Sequence, residues 1–235
     1  AKAYLASPAV VAASAIAGYI TGPWNGERGG EVAVIERGVD AAAAGASETR
    51  AVSIRPGFPE RMEGEILFLD MDNLNTDGIY ADEYTYREDM TPAEMAAVAM
   101  KNYDPEFQSK ARTGDILVSG FNFGTGSSRE QAATCLKHKG IPLVVAGSFN
   151  ETYKRNAFNN GYVCIECPGL VEDLRRRFAE KELTRRAGIR LAIDFVCSRA
   201  EAGGKSYAID PVGPAAQELV LAGGLEALVA ARLRG

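Results

Sequence analysis

The apolar positions in the second half of this sequence fall into short continuous runs: ILFLD (66–70), DILVSG (115–120), PLVVAG (142–147) and YVCIEC (162–167). Runs of this length, bounded by turn residues, predict buried strands. Helix-sized segments separate the last three, and strand–helix–strand–helix–strand order predicts a parallel sheet with right-handed crossovers. Both intervening helices open on Ser-x-x-Glu, as Ser127 to Glu130 and Ser148 to Glu151, and close at Gly140 and Gly161. That pattern predicts two capping boxes and fixes the helix ends. A further helix is expected around Pro92 to Met100. Beyond Pro168 the pattern predicts a basic amphipathic helix (174–183), strands at LAIDFVCS and SYAID, and an alanine- and leucine-rich helix near Leu225 to Leu233.

The first sixty residues are different in kind. Ser7-Pro8, the following VVAASAIA and Gly18 carry a cap, a proline at the first helical position and a terminating glycine, which predict one short helix. From Thr21 to Gly64 the chain is rich in Gly, Pro, Glu and Arg, with an alanine-rich tract at 40–51 and one strand-like piece, VAVIE (32–36). The expected organisation is therefore a leading helix (1–20), a linker or insert (21–62) and a main domain (63–235).

Composition narrows the classes of function. The 235 residues are 46% apolar, enough for one substantial core. A net charge of −5 and the lack of a basic stripe interleaved with aromatics argue against nucleic acid. The most apolar stretch, Ala9 to Ile20, is too short to span a bilayer, so no membrane partner is expected. Four cysteines do not make a disulfide scaffold and fit a reducing compartment. The chain begins at Ala1, not Met, and is read as a cut from a longer one.

The chemistry is concentrated between Gly120 and Glu130, GFNFGTGSSRE, where a strand ends and a helix begins. Ligands of parallel sheets bind there. Glycines let the backbone approach a ligand, free N–H groups attract anions, and Arg129 offers a fork that matches a carboxylate, so a small acid is the expected ligand. Thr125 and Gly126 stand where a Walker loop needs glycine and lysine, and no G-x-G-x-x-G can be drawn. Upstream, Asp72 to Ile79 forms a polar turn; an EF-hand from Asp70 is excluded because Asn75 and Ala81 replace the required glycine and glutamate. Cys164-Ile-Glu-Cys167 sits in a strand pattern that points its two thiols to opposite faces. His138, in the last turn of its helix, needs no role beyond that terminus.

GFNFGTGSSREQAA resembles the GSSRE signature of the mobile fourth domain of the aconitase superfamily, which is also the small subunit of isopropylmalate isomerases. The resemblance implies that Ser127 is the base that removes a proton next to a carboxylate, while Ser128 and Arg129 hold substrate carboxylates. Asp72 to Ile79 resembles the D-x-x-T-D-x-I segment lining the same cleft, which brings in Thr76 and Asp77. The Tyr84–Arg87 loop falls where family members read the distinguishing group of the substrate, with Arg87 as the candidate reader. Gly147-Ser148-Phe149 through Gly161 resembles the helix beside the loop, making Asn156 a candidate site residue, with Lys154 and Arg155 solvent-facing. SPAVVAASAIAG resembles the stretch that follows the cluster-binding domains. The match is weakest over 22–62 and 199–235.

The implied fold is α/β, a swivelling β/β/α domain with a central, partly parallel sheet flanked by helices. A [4Fe–4S] cluster is implied for the full-length enzyme, ligated outside this chain and with no metal bound by this domain; its open iron takes the substrate hydroxyl and carboxylate. The implied partners are a tricarboxylic acid and the cluster-binding domains of the same polypeptide. Within the superfamily, Thr125, Gln131, NTDGIY and EYTYR are most like fungal homoaconitases, where isopropylmalate isomerases carry cysteine and histidine at the first two places. That implies hydration of cis-homoaconitate in mitochondrial lysine biosynthesis. Aconitase or isopropylmalate isomerase activity, and a non-catalytic anion-binding or docking module, stay open as alternatives.

Overall fold

The computed structural model describes residues 10, 13, 14, 53–87 and 89–234. The chain divides into two units, 1–45 and 46–235. In the first, the described positions Val10, Ala13 and Ser14 are helical; the rest of the leading helix, VAVIE and the alanine-rich tract lie outside the described residues.

The second unit is built on a seven-stranded sheet in the order β4-β3-β2-β1-β5-β6-β7. β1 (Arg61–Leu69), β2 (Ile116–Ser119), β3 (Leu143–Ala146) and β4 (Val163–Glu166) run parallel, whereas β5 (Arg185–Asp194), β6 (Arg199–Ala202) and β7 (Lys205–Ala208) continue antiparallel from β1. The apolar runs become parallel strands because both of their faces are covered. Successive residues point to opposite sides, so Leu67, Leu69, Leu117, Val144, Ala146 and Cys164 join one core, and Ile66, Phe68, Ile116, Val118, Val145 and Ile165 join another. Cys164 and Cys167 are divided between these two cores, so they do not form a thiol pair.

Helices α1 (Thr76–Ile79), α2 (Asp82–Thr85), α3 (Pro92–Val98) and α4 (Phe107–Lys110) lie between β1 and β2. The crossovers are α5 (Gln131–His138) and α6 (Glu151–Asn159), followed by α7 (Pro168–Arg177), α8 (Pro214–Ala222) and α9 (Leu225–Arg234). The two expected capping boxes do not form. α5 begins only at Gln131, with Glu130 in helical geometry and no side-chain cap. Gly126, at φ +94°, and the bridge between Asn75 and Thr125 keep the preceding residues out of the helix. α6 is capped by Asn150, whose side chain accepts from Thr152 N, because the Ser148 hydroxyl is already taken by Asn122 N at 2.9 Å. Among the described residues a capping box forms instead between Thr91 and Glu94, at the start of α3. Both helices end beside their left-handed glycines, Gly140 and Gly161, as expected.

The basic helix also shifts. It runs from Pro168 at its first turn to Arg177, and buries Leu170, Val171 and Leu174. Phe178 leaves helical geometry at φ −110° and ψ 81°, and its ring lies 6.3 Å from Phe68. β6, α8 and the four-residue helices α1, α2 and α4 have no counterpart in the sequence pattern; β6 alternates with alanine alone on its buried face, which gives almost no hydrophobic signal.

Candidate functional site

The site lies at the carboxyl ends of β1, β2 and β3, where three loops close on one another. Loop 70–75 and loop 120–126 are zipped by Asn73 N to Phe121 O (2.8 Å), Gly124 N to Leu74 O (2.8 Å) and Thr76 N to Thr125 O (2.9 Å). Side chains add Phe121 N to Asp72 Oδ1 (2.7 Å) and Asn122 Nδ2 to Asn73 Oδ1 (2.8 Å). Both asparagines sit at φ +56°, which their short polar side chains tolerate. Asp70 and Asp72 each accept from Arg175 at 2.7 Å, so these acids serve the turn and α7. The loop after β3 joins through Phe123 N to Ser148 O (3.0 Å) and Asn150 N to Phe123 O (2.9 Å). Gly124 admits no side chain: its φ is +77°, and an added Cβ would stand 2.2 Å from the Tyr153 ring. Tyr153 in turn packs edge-on against Phe123, with ring centroids 5.1 Å apart.

This scaffold brings six of the seven candidate residues together: Thr76, Asp77 and Asn156 each contact the Ser127–Ser128–Arg129 segment. Thr76, 2% exposed, donates its hydroxyl to the Ser127 carbonyl at 2.9 Å and so fixes the backbone that carries both serines. Asn156, also buried, donates to Ser128 Oγ at 3.0 Å. Arg129 Nη1 donates to Asp77 Oδ1 (3.0 Å) and to Tyr80 O (2.9 Å), and Nη2 donates to Asp82 Oδ1 (3.0 Å). The Arg129 side chain is 10% exposed. The Arg129 guanidinium holds the Asp77 carboxyl below its ordinary value, against a smaller opposing effect of burial; Asp82 N and Asn102 Nδ2 add to the lowering. Ser127 and Ser128 are exposed, and both precede α5, which corrects the expectation that Ser127 begins the helix.

Arg87 stands apart. It is exposed and pairs at 3.9 Å with Asp89. Lys154 is turned toward Glu166, with which it pairs at 2.9 Å. Gln131 donates to Thr85 O at 3.4 Å and ties the serine loop to the 84–87 segment. Sequence reasoning missed Asp82, Asn102 and the Tyr80 carbonyl. No spacing marks them, because they meet Asp77 and Arg129 only through the fold.

The geometry presents exposed serine hydroxyls on a backbone fixed by Thr76, two residues along the chain from a seated arginine, an arrangement that suits proton transfer next to a bound carboxylate. Residues 36–169 match the family described as aconitase C-terminal domain. The mitochondrial homoaconitase of Aspergillus fumigatus is 45% identical over 96% of this chain and 34% of its own length. That of Candida glabrata is 47% identical over 99% of this chain and 37% of its own. The chain thus spans about a third of the curated relatives it matches. Among solved structures, 3-isopropylmalate dehydratase from Methanocaldococcus jannaschii is similar, with 28% identity and a TM-score of 0.61, covering 74% of this chain and 96% of the other. With its serine–arginine loop at the carboxyl edge of the sheet and its sequence matched over 36–169, the chain belongs to the aconitase C-terminal domain family.

Proposed function

We propose that this chain is the substrate-closing domain of a mitochondrial homoaconitase, which hydrates cis-homoaconitate to homoisocitrate in lysine biosynthesis. The observation that carries this reading is the serine loop itself: an exposed Ser127 on a backbone held by Thr76, followed by an Arg129 seated for carboxylate recognition. The names of relatives 45% and 47% identical over nearly the whole chain support the substrate and the compartment.

In this reading the Ser127 hydroxyl moves the carbon-bound proton, and Ser128 and Arg129 hold carboxylates. Asn156 orients Ser128, Thr76 and Asp77 fix the loop and the arginine, and Arg87 reaches the far carboxylate when the domain closes. An unperturbed serine is a poor base, so closure has to surround Ser127 with cations and exclude water. The main domain runs over 63–235, with 1–20 trailing from the preceding domains and 21–62 absorbing the motion. The [4Fe–4S] cluster implied by the family does not fit the cysteines described here: Cys135, Cys164 and Cys167 are buried on separate elements and Cys197 is exposed. The proposed ligands lie in the rest of the polypeptide.

The test is hydration of cis-homoaconitate, cis-aconitate and isopropylmaleate by the full-length enzyme after anaerobic reconstitution, with and without Ser127→Ala. The expected result is preference for cis-homoaconitate and a loss of roughly 10²–10⁴-fold in the variant. Preference for another acid would overturn the substrate, and full activity in the variant would overturn the base.

A further inference from the structure

The two arms of Arg129 are held in unequal ways. Nη1 is bonded at 2.9 Å to the carbonyl of buried Tyr80 and at 3.0 Å to Asp77. Asp77 is itself fixed, since its carboxylate also accepts Asp82 N at 2.8 Å and Asn102 Nδ2 at 3.0 Å. Among the described residues Nη2 meets Asp82 alone, at 3.0 Å. The Asp82 side chain is 66% exposed, where that of Arg129 is 10% exposed. One arm is an anchor, and the other is tied to a carboxylate free to swing into water.

We propose that Asp82 is a built-in competitor for the substrate: its carboxylate occupies the Nη2 arm of Arg129, and a substrate carboxylate takes that arm by displacing it. The chemistry is like for like, because a guanidinium N–H binds an aspartate and a substrate carboxylate in the same geometry. Displacement leaves the arginine seated, since the Nη1 anchor does not involve the Asp82 side chain. Charge acts in the same direction. Two carboxylates against one guanidinium give the trio a net −1, which repels a tricarboxylate until Asp82 swings away. Asp77 and Asp82 touch the same cation yet play opposite parts: removing the first loosens the arginine, whereas removing the second clears it.

The inference rests on the reading that Arg129 receives a substrate carboxylate. It is tested on the full-length, cluster-containing enzyme through the inhibition constant of tricarballylate, a tricarboxylate that cannot be dehydrated, measured for Asp82→Asn, Asp82→Ala and Asp77→Asn at two ionic strengths. An exposed ion pair is weak, so clearing Asp82 is expected to tighten tricarballylate by roughly two- to five-fold, with less gain at high salt. Asp77→Asn is expected to weaken it. Unchanged or weaker binding in either Asp82 variant, or movement of Asp77→Asn in the same direction, overturns the proposal. Tightening by the Asp82 variants in an enzyme that does not hydrate cis-homoaconitate supports displacement and overturns only the substrate assignment.

Discussion

At the scale of single residues, the site is held by contacts that join positions about fifty apart in sequence: Thr76 to Ser127 and Arg129 to Asp77 and Asp82. The motif residues identify themselves by type and order, but the groups that hold them do not. Asp77 offers a test of that support. Its carboxyl sits below its ordinary value because Arg129 favours the charged form, so the fold gains stability from Asp77 while it is ionised. The gain is complete above the ordinary carboxylate range, about pH 4, and is lost as pH falls through the lowered native value. With the side chain 44% exposed, the effect should stay below ~1 kcal/mol. Urea unfolding of the chain and of Asp77→Asn is expected to give a gap that is constant near neutral pH and closes as pH falls below the ordinary carboxylate range, about pH 4. A gap that persisted in acid would mean that Asp77 acts through packing or hydrogen bonding alone.

At the scale of elements, strands were more legible than helix starts. Four apolar runs became four parallel strands within a few residues, because burial on both faces leaves a continuous hydrophobic signature. Both Ser-x-x-Glu signals failed, since a serine hydroxyl serves whichever N–H the fold brings near: Ser148 serves Asn122 N instead of its own helix. Where no loop competes, the device works. Thr91 Oγ1 accepts from Glu94 N, and Glu94 Oε2 accepts from Thr91 N at 2.8 Å, which satisfies two free amides at the start of α3. Thr91→Ala is expected to cost about 1 kcal/mol of unfolding free energy. A loss near zero would show that α3 is held by its packing against α5 and not by its cap.

At the scale of the whole molecule, the sheet changes from parallel to antiparallel at the β1–β5 pair, and one residue pins that junction. Arg186 of β5 donates to Asp115 Oδ2 at 2.6 Å, Glu65 Oε2 at 2.5 Å and Lys110 O at 2.8 Å. It thereby ties the antiparallel extension to the entrance of β2. Asp115 is 6% exposed, so removing the cation strands a buried carboxylate that keeps only the Arg112 N–H. Arg186→Ala is expected to cost roughly 2–3 kcal/mol in equilibrium unfolding, well beyond an exposed pair. A loss below about 1 kcal/mol would show that water reaches Asp115 and that the junction is held by backbone pairing alone.

The sequence by itself determined the parallel half of the sheet, the two crossover helices with their terminating glycines, and the serine–arginine loop at a strand end, because buried runs, left-handed turns and a short glycine-rich anion loop each have a local signature. It also carried the resemblance to aconitases. Only the tertiary structure decided that Ser127 stands ahead of α5, that Ser148 serves a neighbouring loop, that Arg87 lies apart, and that Asp82 shares Arg129 with Asp77. The reason is physical: each of these depends on which polar groups are brought within 3 Å or so across loops distant in sequence, and no local pattern encodes that.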